Sequence, residues 1–230
     1  MVNPRCIKKF FEAVKGNLLF KCNNRDLIKK LFLEAIENNE QQYQKFEESL
    51  PTLKNSLNLD LKFFMESDPA ACCEEEVVLA YPGFKAIVAY RVAHVISDLG
   101  YNVEARIITE DAHSKTGIDI HPAAKLACPL FIDHGTGIVI GETTISGKNL
   151  KIYQGVTLGA LSLKDGSKIR GVKRHPTIGE NVIIYAGASL LGDITIGNNV
   201  TIGSNVFITE SIPDNVKVTF SKPSLVITQK

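Results

Sequence analysis

One stretch of the chain, residues 118–209, carries aliphatic side chains at every sixth position. The series runs through these residues: Ile120, Leu126, Ile132, Ile138, Leu150, Val156, Ile178, Ile184, Leu190, Ile196, Ile202 and Ile208. A period of six fits neither an amphipathic helix, which needs spacings of three and four, nor an alternating strand. Hexapeptide repeats are typical of a parallel β-helix, in which each repeat buries its face only by stacking on neighbours. Thr144 breaks the aliphatic series.

The register slips once, because Val156 and Ile178 are 22 residues apart, which is not a multiple of six. Residues 160–175 are therefore predicted to leave the β-helix as a loop. Long loops in compact repeat domains are usually functional or mobile. The basic residues of this loop are Lys164, Lys168, Arg170, Lys173 and Arg174, against the single acid Asp165. We interpret the loop as a local site for an anionic ligand.

The N-terminal half shows helical rather than hexapeptide spacing. Apolar residues recur at helical spacing in four segments: 5–20, 25–48, 84–99 and 102–113. Pro51 is predicted to close the second of these helices. Ser67-Asp68-Pro69-Ala70 has the composition of a helix N-terminus, with Ser67 or Asp68 as the cap, and Pro82-Gly83 is predicted to stop the helix that follows.

These patterns predict an α+β chain, an α-helical domain followed by a β-helix. The predicted boundaries are 1–116 for the helical domain, 117–212 for the β-helix with its loop at 160–175, and 213–230 for a C-terminal tail. Glycines recur beside the inward aliphatic positions, where they allow tight corners.

Composition narrows the class of protein. The chain has 230 residues, of which 44% are hydrophobic and 22% charged, so a folded core is expected. A formal net charge of +1 gives no reason to expect nucleic acid or a membrane as a partner. The five cysteines show no Cys-x-x-Cys spacing, which argues against a disulfide framework and a structural zinc site. With no signal peptide or membrane span visible, a cytoplasmic location is expected.

Histidines in the repeats are the first candidates for chemistry. His134 follows Asp133 and lies fifteen residues after Asp119, so a coil of three hexapeptides is predicted to return Asp119 close to His134. A carboxylate beside an imidazole fixes its tautomer and raises its basicity, as a general base requires. Arg174 and His175 end the basic loop, and this pair suits a carboxylate.

Several motifs together resemble one family. These are Asp68-Pro69-Ala70, Tyr81-Pro82-Gly83-Phe84, residues 90–94 (Tyr-Arg-Val-Ala-His), 117–122 (Gly-Ile-Asp-Ile-His-Pro), 132–143 (Ile-Asp-His-Gly-Thr-Gly-Ile-Val-Ile-Gly-Glu-Thr), 154–159 (Gln-Gly-Val-Thr-Leu-Gly) and 174–179 (Arg-His-Pro-Thr-Ile-Gly). From about Asp68 to Ile212 the chain resembles serine O-acetyltransferase. The hexapeptides alone indicate only a broad acyltransferase superfamily. The Asp-His-x-Thr-Gly and Arg-His-Pro segments are far more specific.

The resemblance implies a left-handed parallel β-helix and the activity that moves acetyl from acetyl-CoA to the serine hydroxyl in cysteine biosynthesis. It implies that His134 is the general base and that Asp119 orients it. It implies that four residues bind the amino acid: Asp68, Asp133, Arg174 and His175. Acetyl-CoA is expected near Gly159, Ala186, Gly187 and Ser204, and no metal is expected.

The resemblance also implies trimers with each active site between adjacent β-helices, and cysteine as a feedback inhibitor that occupies the serine site. Whether two trimers join into a hexamer stays open. The tail, residues 222–230, does not end in the isoleucine that family members insert into O-acetylserine sulfhydrylase. A stable complex with that enzyme is therefore doubtful.

Three other functions fit parts of the pattern. A γ-type carbonic anhydrase shares the repeat but pairs two histidines five residues apart on zinc, whereas His121 and His134 are thirteen apart. Another hexapeptide acyltransferase with a homoserine, phosphoserine or sugar acceptor is the nearer enzyme alternative. A non-enzymatic scaffold would leave the histidines without a role.

Overall fold

A computed structural model of the chain describes residues 2–20, 22–36, 39–162, 166 and 171–221. Within these residues, six helices come first: α1 (Pro4–Phe20), α2 (Arg25–Ala35), α3 (Glu40–Ser67), α4 (Glu74–Ala80), α5 (Pro82–Asp98) and α6 (Asn102–Thr116). Fourteen short strands follow in the same part of the chain: β1 (Asp119–Ile120), β2 (Lys125–Leu126), β3 (Leu130–Ile132), β4 (Val139–Ile140), β5 (Ile145–Ser146), β6 (Leu150–Ile152), β7 (Thr157–Gly159), β8 (Thr177–Ile178), β9 (Ile183–Ile184), β10 (Ser189–Leu191), β11 (Thr195–Ile196), β12 (Thr201–Ile202), β13 (Phe207–Ile208) and β14 (Lys217–Val218). The predicted fold class is confirmed. None of the described helices combines the length and apolar character needed to cross a membrane.

The segment predicted as one helix over residues 25–48 forms parts of two helices, α2 and α3. The reason is a cap between them. The side-chain oxygen of Asn39 accepts hydrogen bonds from the backbone N–H groups of Gln41 at 3.0 Å and Gln42 at 3.3 Å. Because these bonds satisfy donors that a helix start leaves unpaired, Asn39 begins a new helix.

Pro51 does not close that helix, contrary to the prediction. It lies inside α3, which continues to Ser67. An internal proline removes one helical hydrogen bond. That loss is offset by a buried stripe that recurs every three or four residues: Tyr43, Phe46, Leu50, Leu53, Leu57, Asp60 and Phe64.

The Ser67–Ala70 segment does not begin a helix either. Its serine ends α3, and Asp68 follows in an extended conformation. The Oδ1 atom of Asp68 accepts a hydrogen bond from the N–H group of Ala70 at 2.8 Å, which closes a tight turn instead of a helix. The helix before Pro82-Gly83, α4, does end at Ala80 as predicted, and Pro82 is also the first residue of α5. Proline suits that position because the first N–H group of a helix has no partner within it.

Three parallel sheets form the sides of a triangular prism. Sheet A has the strand order β1-β4-β7-β10-β13, sheet B has β11-β8-β5-β2, and sheet C has β14-β12-β9-β6-β3. The chain therefore visits A, B and C in turn and rises by one coil each time. The inward residues of sheet A show the buried interior: Ile120, Ile140, Leu158, Leu190 and Ile208.

The first coil is longer than three hexapeptides. Val139 of β4 pairs with Thr157 of β7, an advance of 18 residues, whereas Asp119 of β1 pairs with Val139, an advance of 20. The two extra residues lie between β3 and β4, in the turn over residues 133–138, because the first two steps of this coil keep the spacing of six. This insertion enlarges the corner that carries His134.

The predicted loop lies between β7 and β8. Thr157 pairs with Ser189, an advance of 32 residues instead of 18. Gly159 and Thr177 are the strand residues on either side of the loop. Lys164, Asp165, Lys168 and Arg170 lie outside the described residues, as does the tail from residue 222.

A buried ion pair joins the helices to the first coil. The guanidinium of Arg91 in α5 binds both carboxylate oxygens of Asp60 in α3, each at 3.0 Å. It also donates to the carbonyl oxygens of Leu126 at 2.6 Å and Ala127 at 3.2 Å, while Asp60 accepts from the N–H group of Leu130 at 2.8 Å. Because each buried charge is paired and hydrogen-bonded, the contact fixes the helices on the coil.

Candidate functional site

Seven of the ten predicted site residues lie at two corners of the prism. The C–A corner, where the chain passes from sheet C to sheet A, contains Asp133, His134, Tyr153, Ala186, Gly187 and Ser204. The A–B corner, where it passes from sheet A to sheet B, contains His121, Glu142, Thr143, Arg174 and His175. Sheet A separates the two corners within one chain.

His134 projects from the enlarged turn of the C–A corner. Its φ of 55° lies in the left-handed region, and 71% of its side chain is exposed. Its Nδ1 atom lies 3.7 Å from Oδ1 of Asp133, which is half-buried beside it. An exposed imidazole next to a carboxylate is free to accept a proton from a ligand at this corner.

Asp68 and Tyr81 reach the same corner from the helices. A Cβ atom on Gly83 would lie 2.1 Å from the carbonyl oxygen of Ile132, so only glycine lets the start of α5 pack against the end of β3. Burial raises the pKa of Tyr81 to about 12, helped by its hydrogen bond to Asp68 and by the charges of Asp68 and Asp133. With Glu76, three carboxylates surround this tyrosine, which makes the corner suited to an ammonium group.

Arg174 gives the A–B corner a fixed positive charge. Its guanidinium forms a salt bridge with Glu142, and the hydrogen bond from Arg174 lowers the pKa of the Glu142 carboxyl. The salt bridge holds the end of the loop against the turn between β4 and β5. Arginine offers several donors in one plane, which suits a second carboxylate from a ligand.

His175 is buried, with 7% of its surface exposed, and it packs where Gly141 has no side chain. A Cβ atom on Gly141 would lie 2.2 Å from Nε2 of the ring. The Nδ1 atom accepts a hydrogen bond from the N–H group of Thr143 at 3.1 Å. Burial lowers the pKa of His175 to about 4, and the charge of Arg174 contributes. The ring is therefore neutral near pH 7.

Asp119 does not lie beside His134 in one chain. Its Oδ1 atom is 3.5 Å from Nη1 of Arg106 in α6. No hydrogen bond or ion pair within the described residues joins Asp119 to His134, so the predicted pairing is wrong for a single chain. The reason is the register, since Asp119 stacks on Val139, five residues beyond His134 and past the enlarged turn.

Asp119 instead has cationic and imidazole neighbours that continue into the A–B corner. Ligand atoms of Glu110, His113 and Asp119 lie within 4.8 Å of one another, and Arg106 pairs with both carboxylates. Burial and the charge of Arg106 lower the pKa of His121, while Asp119 opposes that shift. Asp119 therefore belongs electrostatically with the A–B corner.

Comparisons with known proteins point to one family. A family model described as "Bacterial transferase hexapeptide (six repeats)" matches residues 175–210. A plasmid-encoded serine acetyltransferase of Synechococcus elongatus is 49% identical over 173 residues, which cover 74% of this chain and 54% of that protein. A serine acetyltransferase of Staphylococcus aureus is 47% identical over 154 residues, which cover 67% of this chain and 70% of that protein. The chain belongs to the serine acetyltransferase family.

The solved structures support the same assignment. Serine acetyltransferase isoform 3 from Entamoeba histolytica, in complex with cysteine, is 34% identical and superposes with a TM-score of 0.83, covering 100% of this chain and 86% of that one. The chain spans about half the length of the Synechococcus relative, at 54%.

In this member of the serine acetyltransferase family, three of the four residues predicted to hold coenzyme A follow one column of the C–A corner. Gly187 donates its N–H group to the carbonyl of Gln154, and Asn205, the neighbour of Ser204, donates to the carbonyl of Ala186, each at 2.9 Å. The fourth residue, Gly159, lies at the other edge of sheet A, where β7 ends. These four residues therefore do not form one cluster in a single chain.

Four residues beside the predicted site were missed as functional residues: Tyr81, Arg106, Glu142 and Thr143. Tyr81, Glu142 and Thr143 belong to motifs that carry the resemblance to serine acetyltransferases. Their place in these motifs could have marked them as candidate site residues. Arg106 lies on a helix with no motif of its own. Its role follows only from its contact with Asp119.

Proposed function

We propose that this chain transfers the acetyl group of acetyl-CoA to the hydroxyl of L-serine, giving O-acetylserine for cysteine biosynthesis. The observation that carries the proposal is the complementary charge of the two corners. The C–A corner offers carboxylates and an exposed imidazole, and the A–B corner offers a guanidinium and a neutral imidazole. An amino acid has an ammonium and a carboxylate, and these fit one corner each.

The two corners of one chain cannot bind the same serine. Sheet A strands of two or three residues alone separate the corners by about 7–10 Å. Serine carries its ammonium and carboxylate on one carbon atom. We therefore propose a trimer in which the C–A corner of one chain faces the A–B corner of its neighbour and completes the site.

In this arrangement Asp68 and Asp133 hold the serine ammonium, while Arg174 and His175 of the neighbouring chain hold its carboxylate. Asp119 of the neighbour then approaches His134 from outside the chain. Asp119 then orients His134 of the neighbouring chain, as predicted, although the two residues do not meet within one chain.

His134 acts as the general base. Serine's hydroxyl is a weak nucleophile at neutral pH, so His134 removes its proton as the oxygen attacks the thioester carbonyl. A tetrahedral intermediate forms and collapses, the carbon–sulfur bond breaks, and the imidazolium gives its proton to the leaving thiolate. General base catalysis contributes roughly 10²–10⁴ in rate. Asp119 stabilises the imidazolium between the two steps.

Acetyl-CoA lies along the C–A column of Ala186, Gly187 and Ser204, with Gly159 supplied from the facing edge of the neighbouring sheet A. Small residues and exposed backbone groups suit an extended pantetheine chain. The column and His134 share one corner, which brings a thioester toward the base. Exposed thiols at Cys72 and Cys73 suit a reducing compartment, so we place the activity in the cytoplasm.

Cysteine is proposed as an inhibitor, since it keeps the ammonium and carboxylate of serine. The Entamoeba histolytica relative is described in complex with cysteine. A thiol in place of the hydroxyl leaves both charged contacts intact, so cysteine competes for the same two corners.

An acceptor screen tests the function. Purified protein is given acetyl-CoA with serine, homoserine, phosphoserine or a galactoside, and free thiol is measured. The proposal predicts the largest kcat/KM for serine. A larger value for another acceptor would identify a different hexapeptide acyltransferase, and no thiol release with any acceptor would indicate a scaffold.

A further inference from the structure

Thr143 joins the two residues of the Arg174–His175 pair to the turn between β4 and β5. Its hydroxyl oxygen accepts hydrogen bonds from the backbone N–H groups of Arg174 at 3.0 Å and His175 at 3.1 Å. The same oxygen lies 2.8 Å from Nδ1 of His175. One side chain therefore fixes the end of a loop that starts after Gly159.

The contacts of Nδ1 determine the tautomer of His175. The backbone N–H group of Thr143 points at Nδ1 from 3.1 Å, and a backbone N–H group can only donate. Nδ1 must therefore carry a lone pair, and the proton of the neutral ring sits on Nε2. The Thr143 hydroxyl then donates its hydrogen to Nδ1, sharing the one lone pair with the Thr143 N–H group, and accepts the two backbone bonds, which uses the full capacity of the hydroxyl.

Burial and charge act in the same direction as this hydrogen bonding. The ring is enclosed over Gly141, where any side chain would collide with it. Among the described residues, the charged or titratable groups around it are Arg174, Lys173, Glu142 and His121, of which only Glu142 favours the imidazolium. A second proton on Nδ1 would face the N–H group of Thr143.

We propose that Thr143 is a positioning residue that holds His175 as a neutral, fixed Nε2–H donor for the substrate carboxylate. It places the backbone of Arg174 by the same hydroxyl. His175 is thereby excluded as a general base. This inference rests on the proposed function for the identity of the carboxylate, but the tautomer stands on the contacts alone.

Thr143→Val tests the inference because valine keeps the shape and removes the hydroxyl. Two backbone N–H groups lose their acceptor, and a buried group left unpaired is costly. We expect the KM for serine to rise roughly 10–100-fold, with the KM for acetyl-CoA nearly unchanged. Thr143→Ser keeps the hydroxyl and should restore most of the serine affinity. Thr195→Val, at an exposed threonine that begins β11 in sheet B, is the matched control.

Nitrogen-15 NMR of protein labelled at histidine reports the protonation of each ring nitrogen. This signal would not change if Thr143 served only to stabilise the fold. In the wild type the Nδ1 signal of His175 should be that of an unprotonated ring nitrogen from pH 8 down to about pH 5. In Thr143→Val the ring should show a mixture of tautomers or take up a proton at higher pH. Assignment of the His175 signal comes from its loss in His175→Gln.

The outcomes separate the inference from the proposed function. A wild-type His175 protonated on Nδ1 at pH 7 would overturn the inference, even if Thr143→Val failed to fold. An active wild type whose Thr143→Val variant keeps both the serine KM and the His175 signal would also overturn it. A wild type without serine acetylation would remove the proposed function, while the NMR result would still decide the tautomer.

Discussion

Histidine has opposite environments at the two corners of the prism. His134 at the C–A corner is 71% exposed and sits 3.7 Å from a carboxylate. His175 at the A–B corner is buried, accepts a hydrogen bond from a backbone N–H group, and has a pKa lowered to about 4. The first ring is suited to take up a proton, and the second is held as a neutral donor.

The difference arises from how each corner departs from the regular hexapeptide. Two extra residues between β3 and β4 push His134 outward, so that few protein groups surround it. At the end of the long insertion between β7 and β8, Arg174 and His175 bond to the turn that carries Thr143, and His175 is enclosed there. The repeat supplies equivalent positions, and the insertions give the imidazoles different chemistry.

The largest expected effect is on His134. His134→Asn removes the base, and asparagine tolerates the left-handed backbone that His134 adopts at φ 55°. We expect kcat to fall roughly 10²–10⁴-fold with an unchanged melting temperature. Asn181, at φ 57°, shows that this residue type fits such a turn in the same prism. Turnover close to that of the wild type would remove His134 from the mechanism.

Arg174 should matter next, and mainly for serine. Arg174→Ala removes the charge that pairs with the substrate carboxylate, so the KM for serine should rise roughly 10–100-fold. Glu142→Gln releases Arg174 from its salt bridge and should change the same KM much less. Arg5→Ala, on the exposed start of α1, is the control for charge loss. If the KM for acetyl-CoA rose as much as the KM for serine, Arg174 would not be specific to the serine carboxylate.

Gly83→Ala tests the close packing of α5 against the end of β3 at the C–A corner. The new methyl group would lie 2.1 Å from the carbonyl oxygen of Ile132, so α5 must shift. Crowding of this kind costs about 1–3 kcal/mol in the free energy of unfolding. Gly16→Ala in α1 has room, with its nearest atom at 3.6 Å, and should stabilise the helix by about 0.5–1 kcal/mol. Denaturant unfolding of both variants compares them, and equal stabilities would contradict the close packing.

The smallest expected effect is a pH dependence of stability from His175. Its folded pKa of about 4 lies below the ordinary value of 6.5, so the unfolded chain binds a proton first as the pH falls. The stability due to this group is therefore complete above pH 6.5 and is lost between pH 6.5 and about 4. The wild type should lose more stability over this interval than His175→Gln does. Identical profiles would show that His175 titrates normally.

The sequence predicted the coils well because the aliphatic period has one physical meaning, an inward side chain on every face. The aliphatic period did not reveal the two-residue insertion. Ile138 lies six residues after Ile132 and so fits the period, but Ile140 is the residue that stacks on Ile120. Both side chains are buried, so hydrophobicity alone does not separate them. The same false count produced the wrong contact between Asp119 and His134.

Other parts of the site depend on contacts between distant segments, which no local pattern reports. Asp68 has the neighbours of a helix cap in sequence, yet α3 continues up to it and leaves it beside Tyr81. Thr143 acts on residues 31 and 32 positions away. Motif resemblance pointed to His134, Arg174 and His175, but the neutral state of His175 and the partners of all three follow only from the fold.

Mixing two inactive variants tests the central claim that each site is shared between chains. His134→Asn damages only the C–A corner and Arg174→Ala only the A–B corner. Co-folded in equal amounts as trimers, they should recover about a quarter of the wild-type sites, because random assortment pairs two intact corners that often. Activity of the mixture no greater than that of the separate variants would contradict the account, since it would place both residues of a working site on one chain.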